Sequence, residues 1–273
     1  DNIDLEKFFL KYKFFSIIFY HISPNIFVPF INYLILKKIN QNYDLIYVTA
    51  ADYVGGSLIK KLKKKTKKII AFIEDNPFAN RDKKRWKLYL QSLKDYNLTI
   101  FFQKSRIEMG KKYGLKRTML VWPPYDKENH FKRVISKTEK KELTCDVIFI
   151  GTWFPERGIF FKKLINLGLN LKIYGTRWNN DPSFENFKKH VILGHVRDPL
   201  YSKLIQSSKI AICLPSHGNF DEITKRSVEI PAIGGLLCAK KTNEHSKLFK
   251  ENEEAIFFKN VNECYIKCKS LLN

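Results

Sequence analysis

From about Tyr43 onward the chain alternates short apolar runs with amphipathic ones, and that alternation constrains its fold more than any other feature. "DLIYVTA" reads as a buried strand, "GGSLIKKLKKK" as a helix and "KIIAFIEDNPF" as a strand ending in a turn. An amphipathic helix "RDKKRWKLYLQSLKDY" and a strand "LTIFFQ" follow. "SRIEMGKKYG" predicts a helix with Ser105 as N-cap and Gly114 as its stop, before a short strand in "TMLVWPPYD". Residues 127–142 are polar and charged and read as a linker. The alternation then restarts, with strands in "CDVIFIG", "LKIYG", "HVILG", "KIAICLP", "GLLCA" and "EAIFF". Such alternation specifies parallel sheets covered by helices. The expectation is an α/β protein of two Rossmann-like domains facing across a cleft, residues 1–126 and 143–273. Residues 1–40 show neither an opening strand nor a glycine-rich turn, so the N-terminal domain is expected to be small, truncated or helical at its start.

Composition narrows the setting. Five cysteines, an odd number without a tight pairing pattern, argue for a reducing compartment. Cys264 and Cys268 lie four apart on an expected helix, but no second pair or His cluster completes a metal site, so they read as packing residues. The start "DNIDLEKFF" lacks the order of a signal peptide, which points to the cytoplasm. Phe14–Leu36 is long and apolar, yet His21, Pro24, Asn25 and Pro29 interrupt it, and two short buried or interfacial helices fit better than a membrane span. The formal net charge of +22 favours anionic partners. Its densest block, "KKLKKKTKK" at 60–68, reads as a solvated helix end. With the apolar N-terminal segment it also predicts peripheral association with an anionic membrane surface, on its inner face.

Ligands of open α/β sheets bind at the carboxyl ends of strands, where helix N-termini point at them. In the second half, strand "CDVIFIG" ends at Gly151, expected with Asn219 among the donor-binding residues, and is followed by "TWFPERG", placing Arg157 near a helix start. Strand "KIAICLP" is followed by "SHGNFDEITKR", bringing Ser216, His217, Asn219, Asp221 and Glu222 to the same edge. Arg226 and Glu229 come next, three apart and so on one helix face. Their neighbours Val228, Ile230, Pro231 and Ile233 make that face too apolar for a solvated ion pair. The pattern suits a nucleotide diphosphate: two arginines for the phosphates, and one carboxylate for both hydroxyls of a ribose.

The run "RSVEIPAIGGLLCAKKTNEHSKLFKENEEAIFF" resembles the signature of GT-B glycosyltransferases, specifically the CgeB-like group with a family 1-type C-terminal domain. "IFIGTWFPERG", "LKIYGTRW" and "GHVRDPLYSKLIQSSKIAICL" resemble the same group in order and spacing, so the likeness covers about residues 144–273 well. "FIEDNPF", "KDYNLTIFFQ" and "WPPYDKENHF" resemble it more loosely. The resemblance implies sugar transfer from a nucleotide-diphosphate donor to a glycan, lipid-linked or protein acceptor. It assigns Arg157 and Arg226 to the diphosphate, Glu229 to the ribose, and Gly194, His195 and Val196 to a loop bordering the nucleobase. Retaining relatives carry a glutamate eight positions before the ribose acid; here that position is Asp221, with Glu222 offset by one. Ser227 replaces the usual aromatic.

Negative charge that develops on the departing β-phosphate would be stabilised by Arg157, Arg226 and the helix N-terminus. There is no Asp-x-Asp motif to hold a metal, and neither a metal nor a cofactor beyond the donor itself is expected. An inverting reaction would need a base from the first domain: Asp75 in "EDNP" leads, with Glu74 second. His217 would contact donor or acceptor. Two other readings stay open, a basic nucleic-acid-binding protein and a catalytically silent GT-B-like scaffold. Nucleic acid is the less expected partner, because no recognisable binding motif accompanies the charge.

Overall fold

Residues 3–4 and 13–273 are described by the computed structural model of this chain. It divides into two compact units. The first ends at Trp122 and also takes in Gly218–Phe220; the second comprises Pro123–His217 and Asp221–Asn273.

The sheet of the first unit has four parallel strands, β1 (Ile46–Thr49), β2 (Ile69–Phe72), β3 (Leu98–Phe101) and β4 (Thr118–Leu120), in the order β1-β2-β3-β4. Helices Gly56–Leu62, Lys87–Ser92 and Lys104–Lys112 make the connections between them. The core joins Leu58, Ile59, Leu62 and Ile69 to Phe19, Phe27, Ile31 and Ile35 from the helical N-terminal part. That part is a chain of short pieces: Lys13–Ile17, a π-turn at Ile18–Ile22, a 3-10 turn at Pro24–Phe27 and helix Val28–Lys38. Of the expected interruptions at His21, Pro24, Asn25 and Pro29, Pro24 opens the 3-10 turn whereas Pro29 sits in the first turn of helix Val28–Lys38, and no helix among the described residues is long and apolar enough to cross a membrane. The expected helix over 81–96 shrinks to Lys87–Ser92 with a 3-10 turn at Leu93–Asp95, because Asn80–Asp82 forms a separate 3-10 turn that ends at Lys83 with φ 53°. Ser105 is not an N-cap: its helix starts one residue earlier and has no side-chain cap.

In the second unit six parallel strands run β10-β9-β8-β5-β6-β7: β5 (Cys145–Ile150), β6 (Leu171–Gly175), β7 (Val191–Leu193), β8 (Ser208–Cys213), β9 (Leu237–Lys240) and β10 (Ile256–Phe258). Counted from β5 this is the doubly wound order 3-2-1-4-5-6 of a Rossmann sheet. β5 is central and almost continuously buried, which is why it reads as an unbroken apolar run and not as an alternating one.

The expected linker at 127–142 is not a solvated tether. The unit boundary falls between Trp122 and Pro123, and Lys137–Leu143 is a helix whose capping box joins Ser136 and Glu139. The stretch is tied to helix Leu200–Ser207. Gln206 Oε1 accepts from the Arg133 N–H (2.7 Å), Gln206 Nε2 donates to the Arg133 carbonyl (3.0 Å), and Ser202 Oγ donates to the Asn129 carbonyl (2.9 Å). Lys203 pairs with Glu139.

The double glycine closes helix Arg226–Ile233. Gly234 takes φ 88°, and the N–H groups of Gly234 and Gly235 satisfy the carbonyls of Pro231 and Ile230 at 2.9 Å each. A Cβ on Gly235 would come within 2.5 Å of Ile205 Cγ2. Replacing Gly234 by Val should lower the unfolding free energy by about 1–2 kcal/mol, the cost of a left-handed backbone for an L-residue. Urea denaturation checks this, and unchanged stability would mean that the helix end can be remade.

Candidate functional site

In the doubly wound order the crevice opens where strand order reverses, between β5 and β8. The loop after β5 is held by β6 and the turn that follows it. Trp178 Nε1 donates to the Gly151 carbonyl at 2.9 Å, and Gly151 N–H donates to the Tyr174 carbonyl at 2.8 Å. Gly175 has to be glycine, since a Cβ there would lie 2.0 Å from the Gly151 oxygen. Trp153 Nε1 donates to Asp181 (3.0 Å), a buried carboxylate that also pairs with Lys162 at 3.3 Å.

Arg157, in the first turn of helix Pro155–Asn166, spans this crevice. Its Nη1 donates to the Thr152 carbonyl after β5 (2.8 Å) and its Nη2 to the Leu214 carbonyl after β8 (2.9 Å). The guanidinium lies 4.9 Å from the Phe154 ring and 5.4 Å from that of Phe149, close enough for cation–π contact. Burial, followed by the like charge of Arg226, lowers its pKa to about 10. Arg226 opens helix Arg226–Ile233. Its Nε is buried without a hydrogen-bond partner among the described residues, and so is the Arg157 Nε. Two guanidinium groups that raise each other's energy are stabilised by an anion beside both. Ser216, 7% exposed and with no partner for its hydroxyl among the described residues, follows β8 on the same loop.

Arg226 and Glu229 share a helix face, yet no ion pair joins them among the described residues. Glu229 Oε2 instead accepts from the hydroxyl of Tyr201 at 3.0 Å. Burial, and then the Glu229 carboxylate, push the Tyr201 phenol well above its ordinary value, so it stays protonated and donates. The ring of Tyr201 rests against His130, which pairs with Asp198 at 3.4 Å. Sequence reasoning missed Tyr201; its only signal was the apolar periodicity of "PLYSKLIQSS", which marks a core position. Gly194 takes φ 137° and donates to the Gly175 carbonyl (3.1 Å), His195 is exposed, and Val196 packs against the core.

Ser227 is fully buried. Its hydroxyl donates to His245 Nε2 (2.7 Å) and accepts from the Thr224 N–H (3.1 Å), while His245 Nδ1 donates to the Lys240 carbonyl at 2.8 Å. This tautomer is assigned from the partners, since Nδ1 faces a carbonyl. A hydrogen-bonded pair thus fixes the start of the Arg226 helix in place of an aromatic contact. Thr242, which caps the helix carrying His245, was the readable part of that arrangement.

The remaining predicted residues have the following partners. Asp75 Oδ1 pairs with Arg81 (2.9 Å) and Oδ2 with Arg85 (3.0 Å), and Arg85 also binds the buried Asp52 at 2.8 Å. Asp75 is therefore the centre of an ion-pair network, with both oxygens engaged. Asp52, raised by burial and partly relieved by Arg85, belongs to the same network. The Glu74 carbonyl accepts from Arg106, and the Glu74 charge, after burial, raises the Tyr47 phenol. Asn219, expected near a donor, has its side-chain oxygen on the Asn76 N–H (2.8 Å) and its amide directed at Asp75 (3.4 Å). His217 opens the 3-10 turn His217–Asn219. Asp221 N–H donates to the Ser216 carbonyl (3.1 Å), and the Asp221 charge reaches Arg157. Among the described residues one group of three has metal-ligand spacing: Cys238, Cys264 and Cys268, with sulfurs within 4.8 Å of one another. All three are fully buried in an apolar cluster with Ile212 and Phe258, and the third cysteine, from β9, gives the group a ligand spacing that Cys264 and Cys268 alone do not show in the sequence.

Residues 157–273 match the family model described as "Glycosyl transferase-like". No curated protein matches the chain in sequence. Among solved structures it is similar to TarM (14% identity, TM-score 0.63, covering 90% of this chain) and spans about half of that protein, 51%. Anabaena HepE in complex with UDP and glucose is 11% identical with a TM-score of 0.63, covering 90% of this chain and 72% of that one. T4 phage BGT in complex with its UDP-glucose substrate is 18% identical with a TM-score of 0.52, covering 84% and 72%. The shared fold is of GT-B type, with two Rossmann-like parallel sheets.

Burial keeps His245 neutral by lowering its pKa. The unfolded state takes up that proton first, so stability is lost as pH falls through about 6.5 toward the depressed native value. His245→Gln should flatten this part of the stability–pH curve, measured by urea denaturation between about pH 7 and 5. An unaltered slope would mean that other groups carry it.

Proposed function

We propose that the chain transfers a sugar from a nucleoside-diphosphate donor of the UDP type to a cell-envelope glycan or lipid-linked acceptor. The observation carrying this reading is the pair Arg157–Arg226 at the switch crevice, two cations with unpartnered buried Nε atoms and no carboxylate paired to either among the described residues. A diphosphate supplies the missing counter-charge. Glu229, oriented by Tyr201, accepts both ribose hydroxyls, and backbone groups of Gly194–Val196 border the base.

The chemistry follows from charge. As the glycosidic C–O bond breaks, the electron pair passes to the β-phosphate oxygen. Arg157 and Arg226, already fixed by the fold, lower the energy of that leaving group without reorganising. Two arginines can supply the charge neutralisation that a divalent metal supplies elsewhere. Asp221, within electrostatic reach of Arg157, is the acid assigned to the donor-sugar side. A family match covering the segment from Arg157 onward and the GT-B type fold support the reading.

A thermal-shift screen with UDP, GDP and nucleotide sugars tests it. A ligand at about 100 times its Kd should stabilise the protein by about 2.7 kcal/mol. Glu229→Ala removes hydrogen bonds to a charged acceptor worth about 1.5–3 kcal/mol, so UDP affinity should fall about 10- to 150-fold with the fold intact. Tyr201→Phe should weaken binding less, because the carboxylate stays but is no longer oriented. If no nucleotide shifts the melting temperature, or if Glu229→Ala binds UDP as the parent does, the donor site is elsewhere. Binding without turnover of any donor would favour a silent scaffold.

A further inference from the structure

The N-terminal helical part presents an apolar surface on the wrong side. Helix Val28–Lys38 turns Ile31, Asn32 and Ile35 inward, which satisfies its core contact. Its opposite stripe, continued from the preceding turn, is Ile26, Phe30, Tyr33 and Lys37, where a solvated helix would carry charge. Phe14, Ile17, Ile22, Ile26 and Tyr33 are each 55–69% exposed, and Phe30 is 39% exposed. Phe15 meets Phe27 edge-on at 5.7 Å, so the turn at Lys13–Ile17 lies beside the turn at Pro24–Phe27 and brings its exposed groups next to those of that turn. Singly exposed apolar residues are ordinary, but a contiguous set rimmed by charge marks an interaction site.

The charges named at its rim are cationic. Residues 13–43 contain neither Asp nor Glu. Lys37 Nζ lies 5.9 Å from the Tyr33 ring centre, and Lys37 and Lys61 flank the same hollow beside Pro29 and Leu36. At the other end Lys84 Nζ donates to the Ile22 carbonyl (2.7 Å), and Lys83 Nζ lies 3.2 Å from His21 Nδ1. Lys83 is held at φ 53°, a backbone region that L-residues rarely adopt. Aromatic and aliphatic groups bordered by lysines, on helices too short to span, are the chemistry of a segment lying in the headgroup region of a bilayer.

We infer that this face, from Phe14 to Lys37 with Lys61, Lys83 and Lys84 at its edges, docks the protein on an anionic lipid bilayer. The inference stands independently of the donor reading. Neutralising the block at 60–68 alone should therefore weaken docking less than removing the apolar groups.

Flotation of the full chain tests it, with phosphatidylcholine vesicles with or without about 30% phosphatidylglycerol, a composition that supplies the negative surface potential. The parent should float with the anionic vesicles and not with the neutral ones. The triple variant Ile22→Ser, Ile26→Ser, Tyr33→Ser should float at least about tenfold less, with an unchanged melting temperature because the three side chains are exposed. As a check that does not depend on the triple variant folding, Ile26→Trp should show blue-shifted emission on anionic vesicles, quenched by brominated acyl chains. The proposal is overturned if the triple variant floats as the parent does, since charge alone would then suffice. It is overturned too if the Trp at position 26 remains water-exposed, or if sedimentation shows a dimer that the triple variant disperses, since a second copy would then cover the face.

Discussion

One guanidinium holds the candidate site together. Arg157 donates to the carbonyl that follows β5 and to the carbonyl that follows β8, and so closes the gap that a doubly wound sheet leaves at its switch point. Removing a buried partner of this kind leaves two carbonyls unsatisfied, at about 1–3 kcal/mol apiece. The site is therefore built on a group that is both structural and electrostatic. Its depressed pKa still lies far enough above neutrality to keep the charge, so the cost of burying it is a standing one that an anion relieves.

The neighbouring contacts serve the same end by different means. Tyr201 fixes Glu229 from one helix, and the buried Ser227–His245 pair fixes the first turn of the helix bearing both Arg226 and Glu229. Gly151, Gly175 and Trp178 pin the loop that leads into the helix bearing Arg157. Each of these groups removes a freedom that would otherwise have to be lost on binding.

Much of this was legible in the sequence, and the part that was not has physical reasons. The alternation of apolar runs reports parallel sheets because each strand and each helix must bury its own period of side chains. Arg157, Arg226 and Glu229 stood out because charges in apolar company require partners. What sequence could not give was the identity of those partners. Tyr201 and His245 come from other elements, and only the sheet order brings them near. The same limit explains Asp75: a carboxylate at a strand end reads as a base, but Arg81 and Arg85 return to it from a segment that reads as continuous helix. In the stretch from Asp126 to Glu142 the capping-box spacing of Ser136 and Glu139 was readable, but the surrounding lysines masked it.

The glycine pair after Ile233 reaches further than the helix it ends. With no side chain at position 235, helix Arg226–Ile233 can lie directly on Ile205, and thus on the helix that bears Tyr201. The gap between those two rods decides whether a phenol reaches a carboxylate. A missing methyl group six residues away acts as the shim that sets that gap, so the reach of the acid toward a sugar hydroxyl is gauged by an atom that is not there.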